Sequence, residues 1–221
     1  MQVSSTWDEA KWQRYGLFAG VVFVVLNIVS TFAGGAPPSR DASAEEISKY
    51  FLEHDGGLKL GVVLFGVALI FGVWWLGSLW RVIGGLEPSG PRLALIAVIG
   101  FIMAGTLASG AQALFATPAM RTDSLGGASE FAWTAGYSLY SLTLACAAVH
   151  MLALMALIMW KRFLPMWMGW LALLSAITGA LAIGGAGSEA SFFVVMQMIG
   201  FLTWMLWVLL ASVLLATRKT T

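Results

Sequence analysis

Long apolar runs alternate with short polar stretches along the chain, falling at Tyr15 to Ala33, Leu58 to Ile83, Leu93 to Thr117, Phe131 to Trp160, Met166 to Gly185 and Ser191 to Thr217. Each approaches or exceeds the roughly 20 residues that carry a helix across a bilayer. Lipid offers no partner to backbone N–H and C=O groups, and runs this uniformly apolar lack the two-residue alternation of barrel strands. The pattern predicts an all-α bundle of six transmembrane helices, one membrane domain over residues 1–221. The first run ends in TFAGGAPP, whose small residues mimic a cleavage site. Its length exceeds a signal-peptide core, so it is expected to be a retained span.

Residues 34–57, GGAPPSRDASAEEISKYFLEHDGG, follow a different period. Ser43 and Glu46 form an S-x-x-E capping box, Ile47, Tyr50 and Phe51 fall on one helical face, and Gly56 with Gly57 is expected to stop the helix. This predicts a short amphipathic helix on the membrane surface. Its apolar face serves either as a lid over the bundle or as a docking helix for a partner.

Composition agrees with the spans: 59% of residues are hydrophobic and 10% charged, against about 25% charged in soluble domains. The few charges set the orientation. Lys11, Arg14, Arg81, Arg92, Lys161, Arg162, Arg218 and Lys219 flank one side of the predicted bundle, whereas Arg40, Lys49, Lys59 and Arg121 flank the other. Eight basic residues against four place both termini in the cytoplasm by the positive-inside bias. Asp41, Glu45, Glu46, Glu53, Asp55, Asp123, Glu130 and Glu189 make the opposite face acidic, with only Asp8, Glu9 and Glu87 on the cytoplasmic one. Trp12, Trp80, Trp160, Trp167 and Trp170 cluster beside the basic ends, where indole sits among headgroups, and Trp133 is expected to mark the outer edge. Trp74, Trp75, Trp204 and Trp207 fall deeper, as packing or lipid-facing residues rather than a ligand cage.

Close helix approach in lipid needs small side chains. Gly16 with Gly20, the series Gly105, Ser109 and Ala113, and the series Ala176, Ala180 and Gly184 supply candidate contact faces, either within the chain or with another subunit.

The segment DASAEEISKYFLEHDGGLKLG, the WWLGSLWR end of the second span and KRFLPMWMGWLALLSA between the fourth and fifth together resemble a broad group of uncharacterised actinobacterial six-span integral membrane proteins. The resemblance covers most of the chain. It implies a bacterial plasma-membrane location and a six-helix fold, and carries no activity or catalytic residues with it.

Candidate chemistry is sparse, because no Asp, Glu, Lys or Arg falls in the central part of any predicted span, where transporters and proton relays keep such groups. His150 is the one ionisable exception, and His54 lies in the polar segment, so one chain offers no intramembrane pair of haem ligands. The lone Cys146 can build neither a disulfide nor a thiolate zinc site. No H-E-x-x-H, no carboxylate pair beside a histidine and no phosphate-binding glycine loop is present. No cofactor, metal or nucleic-acid partner is therefore expected, the basic residues forming only thin membrane-flanking clusters.

What remains is a polar stripe of Tyr140, Thr143, Cys146 and His150 on one face of the fourth span. Thr106, Ser109 and Gln112 on the third span and Gln197 and Thr203 on the sixth could join it. Its structural reading is an interhelical hydrogen bond from neutral His150; its functional reading is a polar cavity opening outward. With no nucleophile, base and orienting group to assemble, catalysis is not expected. The expected role is a non-catalytic accessory or scaffold subunit of a larger cell-envelope complex, with lipid-transport machinery as the partner class by analogy. Membrane lipids and a membrane-protein partner or a second copy are its expected contacts. The alternative is a small transporter or a lipid- or amphiphile-binding protein, which requires the polar cavity to be real and open.

Overall fold

The computed structural model describes residues 8–120, 127–188 and 190–218. Arg121, Asp123, Glu189 and Lys219, counted in the charge asymmetry, lie outside the described residues. Among the described residues, seven α-helices follow one another: α1 (Glu9–Ala33), α2 (Ala44–Glu53), α3 (Asp55–Ile83), α4 (Arg92–Met120), α5 (Ala128–Lys161), α6 (Met166–Leu181) and α7 (Ser191–Ala216). A 3-10 turn, Ala182–Ala186, continues α6. Six of these elements are long and apolar enough to cross a membrane, and the chain is a multi-pass membrane helical bundle.

The six spans close into a ring. Each packs on the next, in the order α1, α3, α4, α5, α6, α7, and α7 closes back onto α1. The start of α1 and the end of α7 therefore lie on one face, the termini face, and α2 lies on the other. Trp12, Trp160, Trp167 and Trp170 are exposed around the termini face and Trp80 nearly as much, the arrangement of an interfacial aromatic belt. Trp74 faces outward, whereas Trp75, Trp204 and Trp207 are buried inside the ring.

Small residues set the spacing of the ring, as packing in lipid requires. On α1, a Cβ at Gly16 would collide with Ser78 of α3, and one at Gly20 with Ser212 of α7 and Trp75 of α3. The α1–α3 pair is fastened near both ends: Gln13 donates to the Ser78 carbonyl at 2.9 Å and Ser30 to the Gly61 carbonyl at 2.7 Å. On α4 the buried face runs through Ala97, Gly100, Ala104, Ala108 and Ala111, one to two residues out of step with the expected Gly105, Ser109 and Ala113. On α6 it runs through Ala172, Ala176 and Gly179, and Ala180 faces outward. A strict four-residue spacing drifts around a helix of 3.6 residues per turn, so the buried faces follow mixed three- and four-residue steps.

The capping box is present: the Ser43 hydroxyl accepts from the Glu46 N–H at 3.3 Å, and Glu46 accepts from the Ser43 N–H at 3.0 Å. The expected stop is not where the glycines are. α2 ends at His54 (φ −115°, ψ 17°), and Gly56 and Gly57 lie in the first turn of α3. There a Cβ on Gly57 would stand 2.1 Å from the Ala33 carbonyl oxygen; Gly57 is needed for close approach to α1 rather than to break a helix.

The apolar face of α2 is covered within the chain. Ile47, Tyr50 and Phe51 are 2%, 9% and 0% exposed, and their face is turned inward onto Trp133, which is itself buried near the α2-face end of α5. The Phe51 and Tyr50 rings lie 6.1 and 5.7 Å from the Trp133 ring. The platform exists because α5, 34 residues long and thus about 50 Å, outruns a hydrocarbon core of about 30 Å. Ser48 of α2 and Ser129 of α5 share a hydrogen bond at 2.8 Å beside it.

Two outcomes follow. Phe51→Asp should place an unpaired carboxylate against Trp133 and release α2, at a cost of about 3 kcal/mol or more. Protease added to the α2 face should then cut residues 40–54 faster while all six spans stay inserted; unchanged protection would remove Phe51 as an anchor. For orientation, in a Cys146→Ala background an impermeant thiol reagent should label Ser39→Cys on intact cells and Ser89→Cys only after permeabilisation, with the reverse pattern inverting the topology.

Candidate functional site

The space inside the ring narrows from the α2 face towards the termini face. At its bottom is a plug of rings centred on His150. The imidazole is fully buried, with Phe101 at 5.4 Å, Trp204 and Trp207 at 6.4 Å and Trp75 at 6.5 Å between ring centroids. Nδ1 lies 2.7 Å from the Ala97 carbonyl oxygen of α4. A carbonyl can only accept, so Nδ1 carries a proton and donates to it. Nε2 and the indole N–H groups of Trp75 and Trp204 have no hydrogen-bond partner among the protein atoms. Under the imidazole, α4 and α5 touch backbone to backbone: a Cβ on Gly100 would lie 2.8 Å from the His150 amide nitrogen. His150 thus joins two helices at their closest point, which is its structural reading.

Phe101 and Trp204 are also the floor of what lies above. A void of about 30 Å³, large enough for one water, is bounded by them and by Asn27, Thr143, Gln112 and Tyr140. Gln112, Tyr140, Thr31 and Phe201 are shared with a larger cavity of about 230 Å³ nearer the α2 face. Its back wall is Phe115, Trp133, Tyr137 and Tyr50, and Gln197 reaches in from α7. Of its lining residues, Thr31 and Phe32 of α1, Gly35 and Pro37 of the following segment and Met198 of α7 are exposed. The opening lies between the α2-face ends of α1 and α7.

Of the predicted polar stripe, then, Gln112, Tyr140 and Gln197 meet around one cavity and Thr143 lines the void beneath. His150 belongs to the floor, and Cys146 lines neither space. Thr106 faces outward and bonds the Ile102 carbonyl, while Ser109 and Thr203 bond carbonyls of their own helices. These three hydroxyls satisfy themselves locally, as Ser and Thr in helices commonly do.

The residue that sequence reasoning missed is Arg40. It was placed among the loop charges, yet its guanidinium inserts into the top of the ring, where it donates to the Gly185 and Ser188 carbonyls. It also donates to Gln197 Oε1 at 2.9 Å and lies 4.6 Å above the Tyr137 ring. Accepting from Arg40 fixes the Gln197 amide, whose Nε2 donates to the Ser141 hydroxyl. Arg40 therefore straps the 34–43 segment onto α5, the 3-10 turn and α7, and orients one polar group of the cavity. An arginine seven residues past the end of a span gives no sequence signal of this.

Next to the strap, Gly35 adopts φ +74°, and a Cβ there would meet His54 at 2.8 Å. His54 stacks on Tyr50 at 4.8 Å, and burial raises the Tyr50 phenol above its ordinary pKa, keeping it a neutral donor at the wall. No group of three or more His, Cys, Asp or Glu side chains that could hold a metal occurs among the described residues.

Compared with protein families, with curated proteins and with solved structures, the chain has no match. The site is read from its own chemistry. A mainly aromatic and aliphatic wall with a few amide and phenol groups suits a ligand having an apolar body and a polar, uncharged or zwitterionic portion. At about 230 Å³ it is smaller than the roughly 300–1,000 Å³ of drug-sized sites, so it admits one slender chain or part of a larger molecule.

The role of His150 is tested by substitution. His150→Leu keeps apolar bulk and loses one interhelical bond, a contribution of about 0.6 kcal/mol on average in membranes. Thermal unfolding in detergent should show a loss of no more than about 1–2 kcal/mol, and His150→Asn should accumulate nearly as wild type. Failure of both to fold would show the imidazole to be indispensable to the plug.

Proposed function

We propose that the protein is a non-catalytic amphiphile-binding protein of a bacterial plasma membrane, taking its ligand from the outer leaflet through the gap between α1 and α7. The observation that carries this reading is the lateral cavity under α2, where Gln112, Tyr140 and Gln197 converge inside an otherwise apolar wall. The closed aromatic floor supports binding over conduction, because Phe101, Trp204 and His150 fill the ring below it. The excess of basic residues on the termini face supports a cytoplasmic placement of that face and an outer-leaflet mouth.

The accessory-subunit reading needs an exposed docking face. α2 spends its apolar face on Trp133, which favours a lid that shapes the cavity over a partner-binding helix. A lipid-like ligand would still connect the protein to lipid handling in the envelope.

A diazirine-bearing monoacylglycerol, added to membranes and photolysed, should label Thr31, Phe32, Val194 or Met198 and the wall residues Tyr137 and Tyr140, as mapped by mass spectrometry. Met198→Trp should block the mouth and reduce wall labelling severalfold, leaving labelling at ring-exterior positions such as Val73 and Ile102 unchanged. Adducts confined to the exterior positions would refute the proposal.

A further inference from the structure

A second cleft, on the termini face, lies where α5 turns into α6 beside the end of α7. Its volume is about 440 Å³, and Arg162 and Arg218 stand at it over the apolar side chains of Met166, Leu214 and Leu215. Three observations single it out from the other membrane-flanking charges.

Arg162 is the one non-glycine residue with a positive φ among the described residues (φ 51°, ψ 34°). That left-handed position after a helix is where glycine or asparagine is favoured, and a side chain there is retained against a backbone cost. Arg218 is fixed rather than free to wander: it donates to the Phe163 carbonyl at 3.2 Å, which occupies one of its five N–H donors. Finally, α6 starts at the cleft with Pro165 as its N-cap and no side chain capping its first turn, so the positive end of the helix dipole is open to an anion.

Among the described residues, nothing answers the charge of the pair. No carboxylate lines the cleft, and the described acids of this face are engaged elsewhere. Asp8 pairs with Lys11, Glu9 with Arg81, and Glu87 accepts from the Ala94 N–H. The depth is that of headgroups, since Trp160, Trp167 and Trp170 are exposed around the same loop.

We propose that this cleft binds the phosphate of an anionic phospholipid. Arg162, Arg218 and the first turn of α6 hold the phosphate, and Met166, Leu214 and Leu215 receive the start of the acyl chains. Basic pockets between spans on the cytoplasmic side are suited to such headgroups. The site is separate from the cavity under α2 and stands whether or not that cavity binds an amphiphile.

The test uses the full chain in mild detergent, titrated with phosphatidylglycerol or phosphatidylcholine and read by native mass spectrometry. Phosphatidylglycerol adducts should survive activation better than phosphatidylcholine adducts. Arg218→Gln and Arg162→Gly should each weaken retention roughly fivefold, the scale of one basic residue at an anionic membrane surface. Arg162→Gly also relieves the left-handed backbone, so its melting temperature should not fall, which separates lost binding from lost fold. Inorganic phosphate at millimolar concentration should compete weakly; full displacement by it would mean a soluble anion is bound rather than a lipid and would overturn the proposal. Equal retention of the two lipids, or no change in the double variant Arg162→Gln/Arg218→Gln, would overturn it too.

Discussion

A close backbone approach between α4 and α5 governs what lies above it. In lipid no hydrophobic gain is available from pressing one apolar helix on another, so contact depends on how near the backbones can come and on the few polar groups that can bond across. Gly100 lets α4 rest on the His150 backbone, and the imidazole then reaches the Ala97 carbonyl. With the two helices so near, four large rings from three helices have only the central axis to occupy. Their packing seals the ring at that level and leaves the part nearer α2 unfilled. Cavity and plug are two results of one spacing.

The upper wall depends on a different kind of contact. Arg40 is a charged group drawn inside, and its position is tolerable because carbonyls, an amide oxygen and an aromatic face surround the guanidinium. Arginine suits this role better than lysine, since its planar fork can serve several acceptors at once. The same guanidinium ties the polar segment to α7, so the shape of the lid and the orientation of Gln197 are coupled.

Helices were legible because each is specified locally. The spans follow from apolar runs, and α2 from the Ser43 and Glu46 box and the spacing of Ile47, Tyr50 and Phe51. Boundaries moved where polar turns extend past the membrane, as at Asp8, whose side chain caps α1. The partners of each face were not legible. A stripe such as Tyr140, Thr143 and His150 shares one side of a helix, but a floor of rings from neighbouring helices divides it between cavity and plug. Likewise nothing in the neighbourhood of Arg40 announces Gly185 or Gln197, which are more than a hundred residues away. Gly56 and Gly57 illustrate the converse, a local signal for termination overridden by the need for α3 to touch Ala33.

The closure of α7 onto α1 has a consequence for biogenesis. Of the six spans, α1 leaves the ribosome before the others and α7 after them, and these two form the jambs of the opening. Until the final helix has inserted, α1 lacks the neighbour that meets it at Gly20, and the space under α2 stands open along one whole side. The cavity is therefore enclosed only once α7 has joined α1.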